Sequence, residues 1–271
     1  MMERLSSTET LGRGVTAFIF LLLVAAVLRA GGGPWLIHPP AGAGLVAVAW
    51  PTATQLKRIE PSWYYTYGFS GSTVPGYERI YLVPWQYDDE ALARALKEHP
   101  GQWWMVGNEP NDPSQDNLSP AAYATFYHRF LEAAHRFDPT CHVMPAGIAN
   151  ADWGWAHDFR ESYRAQYGRY PRVDAWNIHN FILEPERTPW DLVVFQERIL
   201  TFREWMAKVG EGDKPLVLSE FGVLQKHLAD GSEVPPERVI EFMEASVRWL
   251  ATTDYVQSWA WFANHTKGQF G

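Results

Sequence analysis

Short apolar runs recur between residues 45 and 262, and segments with the spacing of amphipathic helices lie between most of them. The runs lack the strict alternation of a strand with one wet face, which is typical of parallel strands buried on both faces. We predict strands at residues 45–50, 62–67, 80–85, 103–109, 141–144, 173–179, 215–220 and 256–262.

Helix start signals follow most of these runs. Asp88 and Asp89 can cap one helix, and Ser119 followed by Pro120 begins a longer one. A Gly/Ser-rich loop alone joins the second and third predicted strands. Further helices are predicted at residues 54–59, 153–167, 188–206 and 235–250.

Strands that alternate with helices predict an α/β protein, and eight of them predict a (β/α)8 TIM barrel. A doubly wound open sheet is the competing architecture, but no Gly-rich phosphate-binding turn follows the first strand. Nine residues follow Phe262, which is too few for an eighth helix. We therefore expect a barrel that lacks this helix, or a truncated sequence.

The N-terminal segment differs from the rest in composition. Residues 15–28 form a nearly apolar run preceded by Arg4 and Arg13, which is the order of a signal peptide or an uncleaved membrane anchor. We assign residues 1–30 to that role, residues 31–43 to a linker, and residues 44–271 to the barrel. The expected location is secreted or extracytoplasmic, with membrane contact only through the N-terminal segment.

Composition excludes several classes of function. The net charge of −8 argues against nucleic acid as a partner. The lone cysteine, Cys141, excludes a zinc site built from several thiolates and is predicted to be buried. The chain has no His-Glu-x-x-His motif, P-loop or Gly-x-Ser-x-Gly elbow. We expect no metal, no cofactor and a monomer.

Two glutamates carry the candidate chemistry. Glu109 and Glu220 end the fourth and seventh predicted strands, and barrels place their active sites at the carboxyl ends of strands. A pair of carboxylates at such a mouth is the machinery of glycoside hydrolysis. Each could instead be a surface charge at a strand end.

Asn-Glu-Pro at 108–110 and Ser-Glu-Phe-Gly at 219–222 resemble the motifs of glycoside hydrolase clan A. Residues 62–65 and 83–85 are also similar to family 128, the "catalytic core" group with many β-1,3-glucanases. The resemblance implies a (β/α)8 barrel and a retaining mechanism. It also implies that Glu109 is the acid/base and Glu220 the nucleophile.

The resemblance extends to residues that would bind a polysaccharide or oligosaccharide substrate. It implies that Asn108 bonds the sugar 2-hydroxyl, that His179 orients Glu220 or a sugar hydroxyl, and that Trp261 forms a platform. The alternative for each is a structural role. Additional cleft candidates are Tyr65, Tyr67, Trp85 and Asn180.

The expected function is thus endo-cleavage of a β-linked polysaccharide, with β-1,3-glucan as the first candidate. Three alternatives remain open at this point. The first is another clan A specificity, such as an exo-β-glycosidase, a mannanase or a xylanase. The second is a carbohydrate-binding barrel without catalysis, and the third is a structural or adhesion domain on a membrane anchor.

Overall fold

The computed structural model describes residues 39–47 and 51–263. The predicted signal or anchor at residues 1–30 lies outside the described residues, as does most of the predicted linker. Among the described residues, no helix has the length and apolar character needed to cross a membrane.

The described chain alternates strands with helices. The strands are β1 (Gly42–Val46), β2 (Trp63–Tyr65), β3 (Glu78–Val83), β4 (Trp103–Val106), β5 (His142–Pro145), β6 (Trp176–Phe181), β7 (Leu216–Gly222) and β8 (Val256–Trp261). The α-helices are α1 (Ala53–Ile59), α2 (Asp89–Glu98), α3 (Pro120–Phe137), α4 (Trp153–Tyr167), α5 (Leu192–Lys208) and α6 (Pro236–Leu250). A 3-10 turn at Ala149–Ala151 precedes α4.

All eight strands are parallel, and their order is β5-β4-β3-β2-β1-β8-β7-β6. The first and last strands of the sequence are therefore neighbours, as in a closed barrel and unlike a doubly wound sheet. Between β5 and β6 the seam is closed by single contacts: the Asp174 amide donates to the Val143 carbonyl at 2.8 Å, and Ile148 bridges to Ile178. The (β/α)8 prediction is confirmed.

No helix lies between β2 and β3, where the sequence predicted a loop. In place of a covering helix, the side chain of a buried arginine, Arg79, holds this loop. Its guanidinium donates to the carbonyls of Gly68, Ser70 and Gly71 at 2.9–3.0 Å. These bonds hold the loop against the outside of the barrel, because carbonyls brought that close to a core need donors.

The first strand was predicted too late in the chain. β1 begins at Gly42, inside the predicted linker, and ends at Val46. The reason is glycine: a Cβ on Gly44 would lie 2.2 Å from the Trp63 ring. The bare backbone leaves room for the indole, so the strand has no apolar pattern to reveal it. Similarly, α5 begins after the cap Asp191 and not at residue 188.

Alternation along each strand separates two apolar layers. One lines the barrel interior and the other lies between the strands and the helices. The outer layer includes Phe130, Phe159, Phe202 and Trp259. The interior layer consists of Val46, Trp63, Tyr65, Ile80, Leu82, Trp103, Met105, Met144, Ala175, Val217 and Ala260. Truncating a fully buried ring such as Phe130 to Ala would cost about 3–5 kcal/mol.

Trp103 and Trp104, at the start of β4, are buried, the first inside the barrel and the second against the helices. The prediction that Cys141 is buried is confirmed. Cys141 is fully buried, and that burial raises the pKa of its thiol to about 12. The thiol is therefore protonated and inert at neutral pH.

Candidate active site

Glu109 stands on a tight turn at the carboxyl end of β4. Gly107, with φ of 92°, starts the turn, and Glu109 itself adopts φ of 42°. This left-handed region costs a residue other than glycine or asparagine about 1–3 kcal/mol and is characteristic of functional sites. Two hydrogen bonds hold the turn. The backbone N–H of Asn108 donates to Asp116 Oδ2 at 2.6 Å, and the backbone N–H of Glu109 donates to the Gly147 carbonyl at 3.2 Å.

Glu220 enters the barrel through an irregularity in β7. Ile178 pairs with Leu218, but the next residue, His179, pairs with Glu220, so β7 carries one extra residue at this point. Such a bulge re-aims side chains. As a result, both Ser219 and Glu220 lie beside the His179 imidazole, although consecutive strand residues normally face opposite sides.

His179 connects the two carboxylates. Its Nδ1 lies 2.8 Å from Glu109 Oε1 and 3.6 Å from Glu220 Oε2, and its Nε2 lies 3.0 Å from Ser219 Oγ. The imidazole is fully buried. Gly147 makes room for it, because a Cβ there would be 2.0 Å from Nε2. The position of the ring is therefore set from several sides.

Two tyrosines hold the other side of Glu220. The hydroxyl groups of Tyr65 and Tyr67 both donate to Oε1 of the carboxylate, the second at 2.6 Å. Burial raises the pKa of both phenols, and the charge of Glu220 raises it further. Both hydroxyls thus stay protonated, and a carboxylate that accepts two such bonds is fixed in orientation.

Burial and the neighbouring polar groups have opposing effects on the pKa values of Glu220 and His179. Burial is the largest influence on Glu220 and raises its pKa, and the charge of Glu109 raises it too, while His179 and the two tyrosine hydroxyls oppose the rise. Burial would lower the pKa of His179, but the charges of Glu220 and Glu109 outweigh it and raise that pKa. The imidazole consequently keeps its proton to a higher pH than free histidine.

One ligand atom from each of Glu109, His179 and Glu220 lies within 4.8 Å of the others, which is close enough to hold a metal ion. Both imidazole nitrogens already have partners, however, in Glu109 and Ser219. A metal would have to break one of these bonds. The donor set fits acid–base work between two carboxylates better than metal ligation.

Several predicted site residues are therefore brought together: Glu109, Glu220, His179, Tyr65 and Tyr67. The hydroxyls of Tyr65 and Tyr67 bind Glu220, and the contact of these two residues with the sugar stays a prediction.

Asn108 immediately precedes Glu109 on the turn after β4. The side-chain nitrogen Nδ2 of Asn108 donates to Gln115 at 3.1 Å. The side-chain oxygen Oδ1 is buried and has no hydrogen-bond partner among the described residues. That free acceptor suits a substrate hydroxyl, so its sugar contact stays a prediction. Trp85 is 42% exposed beyond the end of β3, and its role also stays a prediction.

Two predicted residues face the helices. The Trp261 ring packs on Phe221 and on Phe242 of α6, with ring centroids 5.3 and 6.2 Å apart, so the prediction that it forms a platform in the cleft is wrong. The face shared by Trp259 and Trp261 is the outer one, because Ala260 occupies the interior. Asn180 donates to the Phe195 carbonyl on α5 at 2.9 Å and does not join the carboxylates.

Ser219 and Phe262 were missed. Ser219 is adjacent to Glu220 in the sequence, but only the β7 bulge turns it towards His179. Phe262 packs on the interior layer and meets the Phe181 ring at 5.8 Å, where the sequence suggested Trp261. The sequence shows that Phe262, the residue after Trp261, is also aromatic. Alternation alone could not say which of these two neighbours faces the barrel interior.

A barrel with two carboxylates linked by an imidazole at the carboxyl ends of its strands defines a glycosidase-type site. The family model "Glycosyl hydrolase catalytic core" matches residues 46–270, and the chain belongs to this family of glycosidases. No functionally curated protein matches the sequence.

Solved structures share the fold at low identity. An endo-β-1,3-glucanase of Pseudomonas viridiflava superposes with a TM-score of 0.65 at 20% identity, covering 86% of this chain and 90% of its own. A curdlan-specific exo-β-1,3-glucanase of Blastomyces gilchristii has a TM-score of 0.63 at 20% identity, covering 85% and 95%. An endo-β-1,3-glucanase of Amycolatopsis mediterranei in complex with laminaritriose has 0.61 at 16%, covering 84% and 90%.

Proposed function

We propose that this glycosidase cleaves β-1,3-glucan in the interior of the chain and retains the anomeric configuration. The observation that carries the mechanism is the close approach of the two carboxylates. Atoms of Glu109 and Glu220 lie within 4.8 Å of each other. Retaining enzymes have carboxyl groups ~5 Å apart, whereas inverting enzymes need about 6.5–9.5 Å to admit a water.

The surroundings of the two carboxylates support different roles. Glu220 Oε1 accepts two tyrosine hydroxyls, which favours the ionised form and directs the carboxylate as a nucleophile. Glu109 contacts the protonatable His179 at 2.8 Å and is the more exposed of the two side chains. It is therefore placed to give a proton to the leaving oxygen and later to take one from water.

The reaction then has two steps. Glu220 attacks the anomeric carbon and forms a glycosyl ester while the bond to the leaving oxygen breaks and Glu109 protonates that oxygen. Glu109, now ionised, removes a proton from water as the water attacks the same carbon and releases Glu220. Two inversions at one carbon give net retention.

The β-1,3 linkage is supported by likeness to the solved glucanases, which include both endo- and exo-acting enzymes. Product analysis separates these modes. Endo-cleavage releases a ladder of laminari-oligosaccharides from curdlan at early times, whereas an exo-acting enzyme releases one small product throughout. No release from β-1,3-glucan, with release from mannan, xylan or β-1,4-glucan, would replace the proposed specificity.

The roles of the carboxylates can be tested by azide rescue with an aryl β-laminarioside. Azide should attack the glycosyl ester of Glu109→Ala and give the β-azide. In Glu220→Ala it should replace the nucleophile and give the α-azide. Glu244→Gln, at an exposed position on α6, is the matched control and should behave as wild type. The same anomer from both variants would contradict the assignment, and turnover unchanged by either substitution would exclude the mechanism.

We also propose that the barrel works as a monomer outside the cytoplasm after export or anchoring through residues 1–30. The apolar run at residues 15–28 and a polymeric substrate too large to enter a cell support this location. Fractionation of cells that express the full chain should place activity outside the cytoplasm. A chain beginning at residue 31 should stay inside, and export of that chain would contradict the proposal.

A further inference from the structure

A cavity opens on the same face of the barrel as the carboxylates. Its volume is about 590 Å³, within the range of small-molecule sites. The walls come from the loops that follow β4, β5 and β6 and from the first half of α5. These loops all leave the carboxyl ends of their strands, so the cavity shares the functional end of the barrel.

The cavity lies on the Glu109 side of the site. Asn111, two residues beyond Glu109, forms part of its wall, and the Asn111 amide is bonded to both the N–H and the carbonyl of Ala149, at 2.9 and 3.1 Å. Ala149 also lines the cavity. One clamped segment thus carries Glu109 at one end and a cavity wall at the other.

The chemistry assigns a direction to this arrangement. The general acid must lie beside the oxygen that departs, so the departing part of the substrate extends from the Glu109 side of the cleaved bond. The opposite side of the pair, with Glu220, Tyr65 and Tyr67, faces the sugar that becomes bound to the enzyme. A cavity next to Glu109 is therefore placed for the leaving portion.

The lining fits a neutral, hydroxyl-rich ligand. Three carboxylates and two guanidinium groups nearly balance in charge, which favours neither an anion nor a cation. Carboxylates accept and guanidinium groups donate hydrogen bonds, as hydroxyl groups require. At the edge, Trp153 is 46% exposed and offers a flat apolar ring on which the C–H face of a pyranose can stack.

We propose that this cavity binds the leaving-group side of the β-glucan and that Trp153 is its stacking platform. The inference rests on the proposed function, because it uses Glu109 as the acid. It predicts that Trp153 matters only for substrates whose leaving group is a sugar chain.

The experiment compares two substrates that differ in their leaving groups. Laminarihexaose needs the cavity, whereas an aryl β-laminaritrioside has only a nitrophenol on that side. Trp153→Ala should lower kcat/KM about tenfold on the hexaose, the usual scale for an aromatic anchor, and leave the aryl substrate within about twofold. Trp153→Phe keeps a ring and should recover most of the loss. Ile240→Ala, at another exposed apolar position, is the control.

Equal losses on both substrates, or no loss on either, would overturn the proposal. A binding measurement keeps it testable if the specificity is wrong. In Glu220→Gln, the indole N–H resonance of Trp153, assigned by its absence in Trp153→Phe, should shift when laminaritriose or another β-linked trisaccharide is added. No shift with any of them would exclude the site, while a wild type inactive on β-1,3 substrates would count against the proposed specificity alone.

Discussion

Two buried glutamates at opposite ends of the barrel are stabilised in different ways. Glu211, before β7, is paired with cations: Arg160 Nε lies 3.6 Å from one carboxylate oxygen, and Lys214 contacts the other. Glu220, within β7 at the functional end, has no lysine or arginine partner among the described residues and relies on an imidazole and two phenols. Both residues are at least 90% buried.

The difference shows what a catalytic carboxylate requires. Two fixed cations neutralise Glu211, whose role is to connect α4, the loop before β7 and, through Trp176, β6. Such a carboxylate is too well stabilised to attack carbon. The partners of Glu220 orient it without a permanent positive charge, and its raised pKa shows that burial is not fully compensated.

The largest expected effect is on turnover in Glu220→Gln. Loss of the nucleophile should reduce kcat by about 10⁴-fold or more, as for other nucleophiles removed from a concerted site. Stability should change in the opposite direction. The pKa of Glu220 is higher in the folded protein than in the unfolded chain. Its contribution to stability is therefore fully present below the unfolded-state pKa and is lost as pH rises through the folded-state pKa.

At pH 7 the variant should therefore unfold at a higher temperature than wild type, and the difference should shrink towards pH 4. Calorimetry at both pH values, with kcat measured in parallel, checks the pair of effects. A lower unfolding temperature at pH 7 would mean that Glu220 is stabilised like Glu211.

Glu211→Ala should show the reverse pattern. Removing the carboxylate leaves Arg160, whose side chain is 9% exposed, with Glu161 at 3.5 Å as its remaining acidic partner, and breaking a buried pair costs up to about 3–5 kcal/mol. Chemical denaturation measures the loss, and kcat per folded molecule should stay near wild type. Full stability would show that the partners Arg160 keeps, Glu161 and the Val209 carbonyl at 3.1 Å, are sufficient to stabilise its charge.

The substitution Gly147→Ala tests whether the position of His179 beside the two carboxylates is needed for activity. The new Cβ would lie 2.0 Å from His179 Nε2, so the imidazole must move away from Glu109 or Ser219. A displacement of this size in a positioned catalytic group should cost about 10²-fold in kcat. Gly168→Ala, where the added Cβ meets nothing within 4 Å although φ is positive, is the control for backbone strain. Equal activity losses in both variants would exclude a specific effect through His179.

The smallest expected effect is a change in pH dependence. The hydroxyl of Tyr67 lowers the pKa of Glu220, so Tyr67→Phe should let that pKa rise. The acidic limb of kcat/KM, which requires an ionised nucleophile, should then move to higher pH. A full profile on an aryl substrate measures the shift. No movement, or a shift to lower pH, would show that the hydroxyl contacts the substrate and not the nucleophile.

Local signals predicted most of the fold. The apolar runs placed seven of the strands, β2 to β8, within a few residues, and caps such as Asp88 and Ser119 did the same for most helix starts. β1 was placed too late in the chain because Gly44, which leaves space for the Trp63 ring, has no side chain to contribute to an apolar pattern. The β5–β6 seam also escaped, because it is closed by single contacts at Ile148 and Asp174.

The candidate site was predicted only in part. Glu109 and Glu220 end apolar runs, so counting strands was enough to place them on the fourth and seventh strands. The roles of the tyrosines did not follow, since a hydroxyl that reaches Glu220 from β2 depends on how strands far apart in sequence meet inside the barrel. Trp261 was misplaced because alternation defines two faces and does not say which one is inside.

The sequence by itself determined the strands, the barrel and the two carboxylates, because burial and strand ends are recorded in local composition. Only the tertiary structure decided their partners. A bulge in β7 turned Ser219 and Glu220 to the same imidazole, and glycine at 147 left the space for it. These are contacts between distant segments, whose geometry depends on barrel closure, and no short stretch of sequence contains them.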